Sequence, residues 1–117
     1  MNKYLNMKGS NLGEFEEVVL LSVATLDNKA YSVAIVDQLD RQIARRVKLG
    51  VVHAILHRLE NKGYLKSELG EPTAERGGKR KRFYSLTSGG FAAVSRSREN
   101  RQRLWDIIPT MVLENFR

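Results

Sequence analysis

The sequence contains no cysteine, and this absence excludes disulfides, iron–sulfur clusters and thiolate zinc sites. No apolar run approaches the roughly 20 residues that span a bilayer, and residues 1–10 lack the apolar segment of a signal peptide. Apolar residues nevertheless make up 42% of the 117 residues, which is enough to build one compact core. We therefore expect a small soluble protein of the cytoplasm that does not bind membranes.

Acidic side chains are scarce in the middle of the chain. Residues 45–82 carry 11 basic and 4 acidic side chains, so this stretch accounts for the whole net charge of +7. Its densest part is Arg76-Gly77-Gly78-Lys79-Arg80-Lys81-Arg82. Such a block attracts a polyanion through release of counterions, and nucleic acid is the commonest polyanion inside cells. The alternative is a solvated loop that only keeps the protein in solution, and the structural context of the block has to decide between the two.

Three helices are predicted ahead of the basic block. Asn11 as N-cap and Glu14 at the third helical position predict a first helix, which is apolar almost all round and therefore buried. A second helix begins near Ser32, and a third covers residues 49–62 and stops at Gly63. The predicted core stripe of the third helix is Leu49, Val52, Ile55, Leu56 and Leu59. Small or hydrogen-bonding residues cover its opposite face.

A hairpin and a last helix follow. Residues 64–69 alternate like a half-buried strand with Leu65 and Leu69 inward, and residues 82–86 predict the returning strand. The basic block then lies at the tip of the hairpin. A last helix follows Thr87 as its cap, and Pro109 should kink or break that helix.

This order of elements predicts a winged helix-turn-helix domain, which is mainly α with a small two-stranded β wing. We place the domain at residues 12–87, after an N-terminal arm at 1–11 that is expected to be disordered, and before the last helix at 88–117. In such a domain the third helix is narrow enough for the major groove, where base edges present distinct patterns, and the wing lies against the backbone.

Four stretches of the sequence resemble the PadR-like family of transcriptional regulators. They are residues 12–21, 30–35, 49–63 and, most specifically, 70–87, which looks like the wing of one subgroup. The resemblance implies a homodimeric repressor that binds double-stranded DNA, with residues 88–117 as a dimerisation helix. A two-fold dimer in turn predicts a palindromic operator with half-sites about one helical turn (~34 Å), or a multiple of it, apart.

The resemblance also implies roles for particular residues. The third helix lies nearest the bases, while Lys48 and the wing cations neutralise phosphates. The expected DNA-binding residues are Lys48, Gly50, Val51, His53, Ala54, His57, Arg76, Lys79, Arg80, Lys81 and Arg82. His53 stands where the family usually carries a tyrosine that contacts DNA, and a histidine has shorter reach and a charge that depends on pH. The expected dimer interface is Phe15, Val19, Leu104, Trp105, Ile108, Met111 and Val112.

Candidate metal and catalytic groups are few. His53 and His57 are four residues apart, a spacing that can bind a transition metal, but only Glu60 stands near enough to complete such a site. The neighbouring Glu16 and Glu17 are attributed to the start of a helix. Because no nucleophile with an adjacent base is found, we predict a protein that is not an enzyme and has no metal or other cofactor.

Two alternative functions stay open at this point. Trp105, the single tryptophan, is either an anchor of the dimer interface or a platform on which a flat ligand stacks. The first alternative is therefore a regulator that senses an aromatic small-molecule effector at the dimer interface. The second is a winged-helix interaction module that docks an acidic partner and shows little preference for any duplex sequence.

Overall fold

In a computed structural model, the described residues, 12–72 and 80–117, form five α-helices and one two-stranded antiparallel sheet. Helix α1 spans Glu14–Leu26 and leads through a 3-10 turn, Asp27–Lys29, into α2, Ser32–Ile43. The following elements are α3 (Leu49–Asn61), β1 (Leu65–Pro72), β2 (Arg80–Leu86), α4 (Ser88–Asp106) and α5 (Thr110–Asn115). The predicted fold, mainly α with a two-stranded wing, is confirmed.

The core lies between α1, α2 and α3, and the base of the hairpin and the start of α4 close it. Each element contributes aliphatic side chains from one face, as its apolar periodicity requires. The buried members include Val19, Leu20, Val23, Ile35, Leu39, Val52, Leu56, Leu59, Leu65 and Val94. Because the apolar face of α3 is held in this core, its opposite face points to solvent.

The first helix begins later than the sequence indicates. Gly13, not Asn11, is its N-cap, and Asn11 lies outside the described residues. The Gly13 N–H donates to Glu16 Oε1 at 2.9 Å, so a side chain inside the helix binds the amide that precedes it. The start of α1 is therefore set by Glu16.

The hairpin is longer than predicted, and the prediction that Leu69 points into the core is wrong. Leu65 pairs with Leu86 and Glu68 with Phe83, with an irregular register between Leu69 and Pro72. Leu65 is buried as expected, but Leu69 is 44% exposed. Only the base of the hairpin packs on the helices. Farther out, the alternation of apolar and polar residues therefore no longer separates buried from exposed positions.

The start of α4 is fastened to the end of α3. Gly63 has φ +82° and ends α3, as the sequence predicts. The Thr87 hydroxyl donates to Gly63 O at 2.6 Å and accepts from the Gly90 N–H at 3.0 Å, which confirms the predicted cap. Gly90 lies so close to the Tyr64 backbone that a Cβ there would be 2.0 Å from Tyr64 O. The Thr87 hydrogen bonds and the close approach of Gly90 to the Tyr64 backbone therefore fix the position of the α4 N-terminus.

The C-terminal segment contains two helices. Helix α4 ends at Asp106, and Pro109 is the N-cap of the short α5. The break coincides with the position where proline removes a backbone donor. None of the helices in the described part of the chain combines the length and the apolar character that crossing a membrane requires.

Two buried carboxylates connect α1 to distant parts of the chain. Lys62 Nζ donates to Glu16 Oε2 at 2.8 Å, and Arg101 pairs with Glu17. The prediction that these glutamates only mark a helix start is therefore incomplete. Both are buried, and each forms an ion pair with a side chain outside α1. Burial raises the pKa of Glu16, but the bonds from Lys62 and the Gly13 N–H, with the charges of Lys62 and Arg58, outweigh it and hold that pKa below its ordinary value of 4.5.

We expect Glu16→Gln to lower the free energy of unfolding by about 1–2 kcal/mol at pH 7, because it breaks a charged hydrogen bond in the interior. A depressed pKa in the folded state contributes stability above the unfolded value, and this contribution disappears as pH falls through the folded value. The gap between wild type and variant should therefore narrow below about pH 4.5 in urea unfolding curves. A gap that stays constant down to pH 3 would contradict the role of the Lys62–Glu16 pair.

Candidate nucleic-acid interface

The outward face of α3 consists of small and hydrogen-bonding residues. All five residues expected to lie near bases are exposed: Gly50, Val51, His53, Ala54 and His57. Lys48 is the N-cap of α3, exposed, and its side chain caps no backbone amide. Leu49, expected in the core stripe, is 41% exposed, because at the first turn it lies beyond the edge of the core. The first turn of α3 therefore projects from the domain.

Strand β2 of the wing carries three described cations, Arg80, Lys81 and Arg82. Arg80 Nε donates to Gly70 O at 2.7 Å, across the hairpin. Arg82 Nη1 donates to the Ser67 hydroxyl at 3.1 Å, and that hydroxyl donates to Glu60 Oε2 of α3 at 2.7 Å. These bonds connect the cationic strand both to its neighbour and to α3. Arg76 and Lys79, also expected to bind DNA, lie outside the described residues.

Aromatic contacts hold the wing against the start of α2. The Tyr84 N–H donates to Ala30 O at 2.8 Å. The ring of Tyr31 meets Phe83 edge-on, with centroids 5.8 Å apart, and Lys81 Nζ lies 4.4 Å from the centroid of the Tyr31 ring. A cation over an aromatic face is attracted by the ring quadrupole. The Tyr31 ring thereby stabilises the Lys81 ammonium in this position.

The wing, the start of α2 and the first turns of α3 line a cleft of about 250 Å³. Its lining consists of Tyr31, Ser32, Val33, Leu49, His53, Arg80, Lys81, Arg82 and Tyr84. None of these lining residues is acidic, while three are basic, so the cleft favours an anion. Burial, aided by the charge of Glu60, raises the pKa of Tyr84, so its hydroxyl stays protonated and can donate a hydrogen bond.

Tyr31 and Ser32 belong to this cleft although the sequence analysis did not single them out. An aromatic residue directly before an amphipathic helix is usually a core residue, and only the pairing of β2 with Ala30 brings the wing beside it. The sequence signal for this part of the cleft is the pair Tyr31-Ser32 at a helix start. Both residues carry a hydroxyl, and neither has an acidic neighbour in the sequence.

Comparison with known proteins identifies the family to which the chain belongs. The sequence model of the transcriptional regulator PadR-like family matches residues 20–96, which is most of the chain. The chain belongs to the PadR-like family. A search of curated proteins found no match.

Solved structures agree with this PadR-like fold. The chain is similar to a PadR-like transcription factor from Bacteroides fragilis, with TM-score 0.67 and 24% identity, over 91% of this chain and 94% of that one. A PadR family transcription regulator from Clostridium difficile aligns with TM-score 0.62 and 21% identity, over 80% and 93% of the two chains. A PadR family regulator from Eggerthella lenta gives TM-score 0.62 and 23% identity, over 88% and 89%.

The C-terminal helices of this PadR-like chain expose apolar side chains. Leu104, Trp105, Met111 and Val112 are between 42% and 73% exposed, and Ile108 is half-buried. Ile107 and Phe116, which were not in the expected dimer set, are more than 70% exposed. In soluble domains such a row usually marks a surface that another chain covers.

The two α1 residues that are expected in the dimer interface, Phe15 and Val19, differ in their exposure. Val19 is fully buried in the core of a single chain, so its side chain offers no surface to a partner. Phe15 is half-buried against the core, with the Arg45 guanidinium 5.0 Å from its ring centroid. Among residues 12–72 and 80–117, the structure brings together no three His, Asp or Glu side chains that could hold a metal ion.

Proposed function

We propose that this PadR-like chain is a cytoplasmic transcriptional repressor, not an enzyme, which binds a palindromic DNA operator as a homodimer. The observation that carries the proposal is the arrangement of α3 and the wing. The exposed face of α3 offers small and hydrogen-bonding side chains to bases, and we assign phosphate contacts to Arg80, Lys81 and Arg82, which line the same cleft as His53 of α3. Base contacts specify a sequence, whereas phosphate contacts position the protein, and this surface supplies both kinds.

The wing cations should contribute affinity without sequence preference. We expect Arg80→Ala and Lys81→Ala each to weaken binding to operator and scrambled duplexes alike, since a phosphate contact releases counterions on any sequence. Each substitution should lower the slope of log affinity against log salt concentration by about one unit. Fluorescence anisotropy titrations at several salt concentrations measure both effects.

His53→Ala is the matched comparison for these charge removals. It lies in the same cleft, but on the helix that faces bases, so it should reduce discrimination between operator and scrambled duplexes and leave the salt slope nearly unchanged. Equal losses on both duplexes for His53→Ala would exclude base readout by this residue.

The exposed C-terminal row supports the homodimer. We expect the protein to sediment at twice its chain mass of 13.3 kDa at micromolar concentration. Trp105→Asp should raise the dissociation constant of the dimer about thirtyfold or more, because a central tryptophan often dominates an interface. Leu69→Asp, on the wing, is the control and should leave the dimer intact. A single 13.3 kDa species for the wild type would refute the homodimer.

A further inference from the structure

Two exposed apolar side chains lie on the DNA-facing side of α3. Val51 is 47% exposed, and Ala54 is exposed as well. Because they are three residues apart on a helix, they are neighbours on its surface. We call these two residues the α3 apolar patch. Gly50, one helical turn before Ala54, has nothing within 4 Å of the position of a Cβ, so space beside the patch is open.

Basic residues are frequent in the sequence around the patch. Residues 41–59 contain five Lys or Arg and no Asp or Glu. Of these, Lys48 and Arg58 form no ion pair in the described part of the chain, whereas Arg41, Arg45 and Arg46 pair with acidic side chains of α1 and α2. Phosphates, which this charge attracts, gain nothing from an aliphatic side chain. Most base edges in the major groove are hydrogen-bond donors and acceptors, which lose free energy when pressed against a valine. The one apolar group on these edges is the C5 methyl of thymine.

We infer that the α3 apolar patch reads thymine, by receiving the C5 methyl of one thymine in each operator half-site against Val51 and Ala54. The inference rests on the proposed function and adds the chemistry by which the helix chooses a base. Val51 is the third residue of α3, and recognition helices contact base edges with their N-terminal residues. Burial of one methyl group corresponds to about a fourfold gain in affinity.

Uracil substitution tests the inference, because uracil pairs as thymine does and lacks only the methyl. Duplexes that the full-length protein enriches from a random pool serve as probes, and each thymine is replaced singly by uracil. We expect about fourfold weaker binding at one thymine of each half-site and no change at the others. The Val51→Ser variant should lose most of the uracil penalty at that position, because only Ala54 of the α3 apolar patch then remains to contact the methyl.

Leu21→Ser is the control variant. Leu21 is 42% exposed on α1 and belongs neither to the cleft nor to the α3 apolar patch, so this variant should keep the uracil penalty at full size. Circular dichroism checks that both variants fold. A penalty that persists at full size in Val51→Ser would overturn the role of Val51, and the absence of a penalty at every thymine would overturn thymine reading while leaving the proposed function intact. A failure to enrich any duplex would instead overturn the proposed function, and this inference with it.

Discussion

The Gly90→Ala variant is expected to lose about 3 kcal/mol of its free energy of unfolding, the upper end for an overpacked core. A Cβ at Gly90 would lie 2.0 Å from Tyr64 O and 2.9 Å from the Tyr64 carbonyl carbon. Both are backbone atoms, which cannot turn aside as the end of a flexible side chain can. Thr87 fixes the α4 N-terminus through Gly63 O and the Gly90 N–H, so α4 cannot retreat without breaking these bonds. Urea unfolding followed by circular dichroism measures the loss.

Gly89→Ala is the control for this prediction. A Cβ at Gly89 would meet its nearest atoms, Gly63 O and Thr87 Oγ1, at 3.7 Å, which is ordinary van der Waals contact. Its stability should stay within about 0.5 kcal/mol of the wild type. If the two alanine variants unfold at the same urea concentration, the close packing of α4 on the Tyr64 backbone is wrong.

The Gly50→Ala variant is expected to bind operator DNA at least about tenfold more weakly, a loss within the 1–3 kcal/mol typical of one specific base contact. It should nevertheless fold at least as stably as the wild type. A Cβ at Gly50 meets no atom within 4 Å, and alanine favours a helix over glycine by up to about 1 kcal/mol. In the proposed complex, however, this turn of α3 faces base edges, and an added methyl occupies the space that the DNA needs. Affinity and stability should therefore change in opposite directions.

Measurement of both quantities on the same samples separates these effects. Urea unfolding gives the stability, and anisotropy titration with operator DNA gives the affinity. Gly89→Ala serves again as the control, because it adds the same methyl to α4 and should leave the affinity for DNA unchanged. Wild-type affinity in Gly50→Ala would show that DNA does not approach the first turn of α3.

Helix α3 could be predicted from the sequence, apart from Leu49, which is exposed and not in the core. Its apolar residues recur with the helical period, Gly63 follows as a stop with positive φ, and the face opposite the core is therefore determined. The antiparallel hairpin could be predicted as well, because short alternating runs flank a polar loop. The expected position of the basic block at the tip is wrong in part, since Arg80, Lys81 and Arg82 lie within β2.

Other features depend on contacts between distant residues, which leave no local signal. Glu16 and Glu17 pair with Lys62 and Arg101, which are 46 and 84 positions away along the chain. Leu69 satisfies the alternation of a strand, yet the ribbon has left the core by that point. Tyr31 enters the cleft only because β2 pairs with the residue before it. Periodicity shows which face of an element is apolar, but not which element lies opposite.

In the proposed function, α3 and the wing together form a sequence-specific DNA surface. Its most direct test is titration of the full-length protein into DNA from upstream of its own coding region, near physiological salt, with excess competitor duplex. We predict saturable binding that survives the competitor, at two protein chains per site. Binding that vanishes when competitor is added would contradict the claim, because it would leave the wing cations with only non-specific attraction for DNA.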